Sequence, residues 1–248
     1  MDILPFRREK AALCMGMDEA LLESRARNDI PDTLRFFQFE PSTVSIGYFQ
    51  SISDQVNLKT CNERGIDVVR RMTGGGSVFH DNHGEITYSV VMDANGGLSD
   101  FEKSYGVICQ GIVEALGVLG LEAEFRPVND VLVNGRKISG SAQTRRGGAI
   151  LQHGTLMYDT DLETLSEILY VSKEKLSDKY VQSVRKRVTT VREEVGRADF
   201  DEALGALREG FTKVFGDLND AMPSDDLIGR SQRLAREKYM DHDRLFLR

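Results

Sequence analysis

The sequence predicts an α/β protein of the α+β type, a mixed sheet backed by helices. Three observations predict it. Segments rich in β-branched and aromatic residues come in runs, with helical periodicities interspersed or gathered at the ends. Glycine and Asn-Gly steps separate them. Composition is that of an ordinary globular chain, 40% hydrophobic and 29% charged over 248 residues, enough to bury a sizeable core.

The first helix is expected in "AALCMGMDEALLESRAR", where apolar residues recur at helical spacing. "TLRFFQF" and "STVSIGYF" follow as strands on their aromatic and β-branched content. "DQVNLKTCNERG" predicts a short helix stopped by Gly65, and "IDVVRR" a strand leading into a glycine run. Alternation in "EITYSVVM" places Ile86, Tyr88, Val90 and Met92 on one face of a half-buried strand. Tyr105, Ile108, Ile112, Ala115 and Leu119 then recur at helical spacing. Strands are expected in "NDVLVNG", "RKISGSAQTRR" and "AILQHGTLMY", the first two joined by a turn at Asn134-Gly135. Helices follow at "DLETLSEIL", 200–215 and 224–240. One domain, residues 1–248, is expected, with a core over about 1–220 and a C-terminal helix over 221–248, because no linker composition marks a boundary.

A net charge of −7 argues against a general nucleic-acid or anionic-membrane surface, so neither is expected as a partner. No apolar run approaches the roughly 18 residues of a membrane span. "MDILPFRREKAALC" carries no signal-peptide core, which predicts a cytoplasmic location. Cys14, Cys61 and Cys109 are odd in number and widely separated, and form neither a disulfide framework nor a metal pair. The four histidines show no HExxH-like spacing.

Three segments carry candidate chemistry. In "RRMTGGGSVFHD" a strand delivers Arg70 and Arg71 to Gly74, Gly75 and Gly76, which permit positive φ and close approach of a ligand to the backbone. The segment is neither a Walker loop nor a dinucleotide fingerprint, and alone it is as much a structural turn as a ligand loop. His80 is equally a core histidine. In "NDVLVNGRKISGSAQTRR", Asn129 and Asp130 offer oxygens for a hydrated metal. Lys137 stands near the small residues Ser139, Gly140, Ser141 and Ala142, which leave space for a ligand unless it is a solvated edge-strand lysine. "LQHGTL" sets His153 and Gly154 in an apolar strand, as a ligand wall or a bulge.

Together with "SVRKRVTTV", "MDEALL" and "VSIGYFQ", these segments resemble in order and spacing the lipoate–protein ligase A family of the biotin/lipoate protein ligase superfamily, from about Ala12 to Tyr239. The resemblance implies a single catalytic domain with a largely antiparallel sheet. It also implies activation of lipoate with ATP and Mg²⁺ to lipoyl-AMP, then transfer to a lysine of a lipoyl carrier domain. Such carriers are 2-oxoacid dehydrogenase E2 subunits, glycine cleavage H protein or similar proteins.

On that resemblance Lys137 is the catalytic cation, over both the acyl carbonyl and the α-phosphate. Arg70 and Arg71 offset phosphate charge, Gly76, Ser77, Val78 and Phe79 form the nucleotide-contacting turn, and Asp130 is the candidate Mg²⁺ ligand. Phe36, Val44, Ile46, Tyr48 and Val78 are candidates for an apolar acyl tunnel. A loop at roughly 172–182 would close as a lid, with Arg185 and Arg187 near the phosphates or anchoring it.

Alternatives stay open. Related octanoyl- and lipoyl-transferases share the fold, use no ATP, and in one branch carry a cysteine shortly before the lysine motif. "EAEFRPVNDVLVNGRK" has none. A non-catalytic lipoate- or adenylate-binding module is a further reading, and biotin a weaker one. Many ligases carry an additional C-terminal domain, which has no room before Arg248, so an accessory subunit is a possible partner.

Overall fold

The computed structural model describes residues 1–169 and 186–247. Eight strands form the main sheet: β1 (Asp2–Glu9), β2 (Thr33–Phe39), β6 (Glu85–Asp93), β7 (Ala123–Arg126), β8 (Asp130–Val133), β9 (Arg136–Arg146), β10 (Ala149–Met157) and β11 (Asn219–Asp220). Their spatial order is β11-β1-β2-β6-β10-β9-β8-β7. Pairing is antiparallel from β2 across to β7 and parallel only where β1 meets β2 and β11. A smaller sheet has β3 (Thr43–Ile46) between β4 (Asp67–Arg70) and β5 (Val78–His80). This is the mixed, largely antiparallel architecture that the sequence predicts.

Helices cover both faces of the large sheet. On one face α4 (Phe101–Val118) and α7 (Phe200–Phe215) bury Ile86, Tyr88, Val90, Ile138, Ile150 and Leu156. Both begin at an aspartate cap, Asp100 accepting from Lys103 N–H and Asp199 from Glu202 N–H. On the other face lies α1 (Ala11–Ala26), itself covered by α8 (Asp225–Leu234). Gly16 permits that approach, since a Cβ there would collide with the Ser231 carbonyl. The small sheet packs through Val44, Ile46 and Phe79 on α2 (Ile52–Gln55), α3 (Leu58–Glu63) and α5 (Leu162–Ile168). Among the described residues the remaining α-helices are α6 (Val191–Val195) and α9 (His242–Leu245).

Several elements depart from the sequence reading. β1, β7 and β11 are not expected from the sequence: β1 does not alternate regularly, and β7 and β11 are only four and two residues long. The single helix over 224–240 ends as α8 and continues through a wider turn, Ala235–Tyr239. The β6 strand is buried on both faces: Glu85, Thr87, Ser89 and Val91 face α1 rather than water. Alternation there distinguishes an apolar face from a polar face, not inside from outside.

Two backbone details set the site. Asn134 and Gly135 both have positive φ (49° and 72°), the geometry of a two-residue hairpin turn between β8 and β9. Two residues on, the register slips: Val131 pairs with Ser139 but Leu132 with Lys137, so Ile138 is extra. This bulge inverts the strand's phase. Ile138 enters the core with α4, while Lys137 turns to the α1 face beside Gly140 and Ala142.

Candidate active site

A cleft opens between the α1 face of β6, β9 and β10, the small sheet and the glycine loop. Lys137 stands at its open end, with 38% of its side chain exposed. Ser45, His80, Thr87 and His153 form the deep end and are buried. Met15, Phe39 and Val78 supply apolar wall.

Lys137 Nζ lies 2.6 Å from Asp130 Oδ1, an ion pair without hydrogen-bond geometry that leaves that buried oxygen otherwise unengaged. A Cβ on Gly140 would sit 2.6 Å from Lys137 Cε and Nζ, so glycine is what lets the lysine lie across the strand. The Lys137 backbone is held from the other side, its N–H donating to Arg187 O and its carbonyl accepting from Thr189 N–H. The "RVT" stretch, residues 187–189, thus runs beside the lysine.

At the deep end the polar face of β6 acquires a purpose. Arg35, Ser89 and His153 stand in one cross-strand row, and Asp18 of α1 sits over them. Asp18 Oδ1 accepts from Arg35 Nη2 (2.7 Å) and Ser89 Oγ (2.7 Å), and Oδ2 from His153 Nδ1 (2.8 Å). Burial pushes this carboxyl up, but Arg35, His153 and Ser89 outweigh it and hold Asp18 at about 2, so it is ionised and only accepts. Burial lowers the His153 pKa more than Asp18 raises it, which keeps the ring neutral at physiological pH. Its proton is therefore assigned to Nδ1, and Nε2 accepts from Thr73 Oγ1 at 2.8 Å.

Arg71 is the hub. Its Nε donates to Thr73 Oγ1 (3.0 Å), Nη1 to Ser45 O and Oγ (3.0 and 3.2 Å), and Nη2 to the carbonyls of Gly74 and Gly76 (2.7 and 2.6 Å). All five acceptors are neutral. Burial lowers its pKa to about 10, so it remains a cation with no carboxylate beside it among the described residues. Ser45 Oγ in turn meets His80 Nε2 at 2.9 Å, and His80 Nδ1 meets Glu85 Oε2 at 3.0 Å. Burial raises the Glu85 pKa, which His80 and Thr87 offset only in part.

Arg71, Gly75, Gly76, Ser77, Val78, His80, Asn129, Lys137, Gly140, His153 and Gly154 all line the cleft as the sequence suggests. Others do not. Gly75 alone of the glycine run has positive φ, and the Gly74 carbonyl is taken up by Arg71. Phe79 and Ser139 fall on the far side of their strands, Phe79 in the core of the small sheet and Ser139 buried with its hydroxyl unpartnered. Asp130 stands behind Lys137. Arg70 points away: its Nη1 donates to the carbonyls of Gly47, Tyr48 and Gln50, its Nε to that of Arg244 and its Nη2 to that of Leu245. Arg187 approaches through its backbone and does not line the cleft. Arg185 and the 172–182 lid lie outside the described residues.

The tunnel reading needs correction in four of five residues. Phe36 packs on Phe211 on the opposite face, Val44 and Ile46 face the small-sheet core, and Tyr48 stacks edge-on against Phe49. Strand phase is the cause, since Ser45, Phe39 and Val78 occupy the other parity. Asp18, Arg35, Ser45, Thr73, Glu85, Thr87, Met15 and Phe39 were missed. The legible signal was polar residues in otherwise apolar elements, Asp18-Glu19 in a buried helix above all. Glu19 serves the outer side of α1, accepting from Lys238 Nζ (2.6 Å), Tyr239 OH (2.7 Å) and Arg146 Nη1 (3.1 Å).

All three cysteines are buried outside the cleft, and burial raises the pKa of each, that of Cys61 to about 11. Among the described residues no three His, Cys, Asp or Glu side chains cluster as a metal site, and no helix is long and apolar enough to cross a membrane.

Comparison with known proteins bears on the fold and the family. A lipoate-ligase structure from Thermoplasma acidophilum, described as part of a bi-partite lipoate protein ligase and its E2 lipoyl domain, superposes with a TM-score of 0.88 at 30% identity, covering 99% of this chain and 95% of that one. A lipoate-protein ligase A bound with ATP gives 0.86 at 28% identity, covering 100% and 99%. Among curated sequences, proteins named octanoyltransferase LipM match from Brevibacillus brevis (31% identity, 92% of each chain) and Kyrpidia tusciae (36%, 83% of this chain and 84% of that). The sequence reading placed the ligase first, whereas these curated names are those of its alternative. Residues 10–212 match the lipoyl protein ligase A/B catalytic domain, and the chain belongs to that family of lipoate ligases and acyltransferases.

Proposed function

We propose that the protein is an ATP-dependent lipoate–protein ligase. The observation that carries this reading is the absence of a sulfur nucleophile from the cleft: Lys137 is approachable, while Cys14, Cys61 and Cys109 are each fully or almost fully buried elsewhere. In the first step an oxygen of the lipoate carboxylate attacks the α-phosphorus of ATP, and the bond to pyrophosphate breaks. In the second a carrier lysine amine attacks the acyl carbonyl, the bond to AMP breaks, and the amine gives up a proton. The Lys137 ammonium faces the charge that develops on phosphate and then on the carbonyl oxygen. Arg71 adds a buried, uncompensated positive charge at the wall, and holds the glycine loop for the nucleotide.

Asp130, whose Oδ1 is ion-paired with Lys137 but takes no hydrogen bond, is the carboxylate that would hold a hard cation, with phosphate oxygens and water as its other ligands. Mg²⁺ held there would screen the phosphate charge. Lipoyl carrier domains are the acceptors on this reading, consistent with the E2 lipoyl domain named beside the Thermoplasma ligase. An accessory subunit is a possible further partner, given that the same neighbour is called bi-partite.

The names of the curated relatives favour a second reading, octanoyl transfer without ATP. One experiment separates the two. Pyrophosphate release from ATP and lipoate, retained when all three cysteines are replaced by alanine, is the expected result. Transfer from octanoyl carrier protein without ATP, lost on replacing a single cysteine, would establish the second reading instead.

A further inference from the structure

We propose that Asp18 is a positioning residue for the glycine loop, acting through His153 and Thr73 on Arg71. The inference deepens the functional reading above, because it takes the cleft as the acyl and nucleotide site. The chain of contacts is continuous: Asp18 Oδ2 to His153 Nδ1 (2.8 Å), His153 Nε2 to Thr73 Oγ1 (2.8 Å), Thr73 Oγ1 to Arg71 Nε (3.0 Å), Arg71 Nη2 to the Gly74 and Gly76 carbonyls. Each link has only one polarity that satisfies all groups. An ionised carboxylate accepts, so His153 donates from Nδ1 and accepts at Nε2. Thr73 must then give its hydroxyl proton to His153, which leaves its oxygen lone pairs facing the Arg71 N–H.

The second arm repeats the order, Glu85 to His80 to Ser45 to Arg71. Arg71 is thus gripped from both sides by a hydroxyl backed by an imidazole backed by a carboxylate. Glu85 lies on the α1 face of β6, where alternation alone would predict an exposed residue, and Asp18 lies on α1 over that same face. They are 1% exposed, and neither lines the cleft. Their burial without a ligand contact is what a purely ligand-binding account leaves unexplained. Supporting the geometry of groups that do touch ligand explains it.

Replacing Asp18 by asparagine keeps shape but places an N–H₂ donor where an acceptor is needed. If the amide oxygen stays with Arg35 and Ser89, the amide nitrogen faces His153 Nδ1, which must then accept. The ring proton moves to Nε2, Thr73 is forced to accept twice, and the Arg71 Nε bond weakens.

The test has two independent arms. The ring-nitrogen signals of His153 in the full chain, read by two-bond ¹H–¹⁵N correlation, should show the proton on Nδ1, and on Nε2 in Asp18→Asn. Steady-state kinetics of lipoyl-AMP formation should show Thr73→Val raising KM for ATP about tenfold with a smaller change in kcat, and Thr73→Ser restoring it. A proton already on Nε2 in the parent protein, or an unmoved proton in Asp18→Asn, overturns the relay. So does a Thr73→Val enzyme with unchanged KM, whether or not Asp18→Asn folds. Should the parent protein fail to bind or turn over lipoate, the functional reading fails, while the tautomer arm still decides the relay.

Discussion

Replacing Gly140 by alanine asks whether the reach of Lys137 across β9 matters. The new Cβ would stand 2.6 Å from Lys137 Cε and Nζ, against the roughly 3.5–4.0 Å of a normal contact. The ammonium must therefore retreat by about 1 Å. Misplacement on that scale costs about 10²-fold in rate, or about 3 kcal/mol of transition-state stabilisation. Folding should hardly notice, because what yields is the partly exposed end of a flexible side chain; a Tm change within about 2 °C is expected. The assay is acyl-AMP formation and, separately, transfer from preformed lipoyl-AMP to a lipoyl domain. Lys137→Ala alone should lose about 10²–10³-fold in both. Gly140→Ala added to Lys137→Ala should cost little more, since the group it displaces is gone. Wild-type rates in Gly140→Ala, or losses that simply multiply in the double variant, would refute the reasoning.

Other substitutions test other parts of the cleft. Val78→Phe should weaken lipoate binding while ATP binding persists, measured by calorimetry, because Val78 is apolar wall that the acyl chain must pass. Gly154→Ala should lower Tm and activity together, since its Cβ would lie 2.6 Å from Tyr88 and 2.7 Å from Ser141 Oγ. Asp18, ionised and held at about 2, contributes stability that is fully present above the ordinary carboxylate value and is lost as pH falls from about 4 towards 2; its worth is about 2 kcal/mol. Urea unfolding of Asp18→Asn at pH 7 and pH 3 should show a smaller difference than the parent protein. Lys137→Arg should rescue poorly, as a planar guanidinium does not fit over Gly140.

Strand parity decides how far the sequence could be followed. The fold class, the hairpin at Asn134-Gly135 and most of the cleft wall were legible because turn chemistry and residue type act locally. The tunnel failed because which parity faces a site depends on what covers each face, and α1 makes the polar face of β6 an interior. Lys137 was found by its motif, but its orientation was not legible. Simple alternation from Ser139 and Ser141 would point it the wrong way, and the inserted Ile138 reverses it. Asp18 and Glu85 escaped notice because buried carboxylates acquire meaning only from partners distant in sequence.

Adjacent residues split their duties at two places. Asp18 backs the cleft through His153 and Glu19 holds the C-terminal segment; Arg71 lines the cleft and Arg70 holds that same segment. Peeling residues 235–247 away would strip the Arg244 and Leu245 carbonyls from Arg70 and two donors from Glu19, leaving charges that are otherwise 1–2% exposed short of partners. Leaving buried groups short of hydrogen-bond partners costs about 1–3 kcal/mol each. The tail therefore cannot fray as an ordinary surface helix does. Its opening is thermodynamically tied to loosening of the strand and helix that carry the cleft, so the end of the chain and its centre form one cooperative unit.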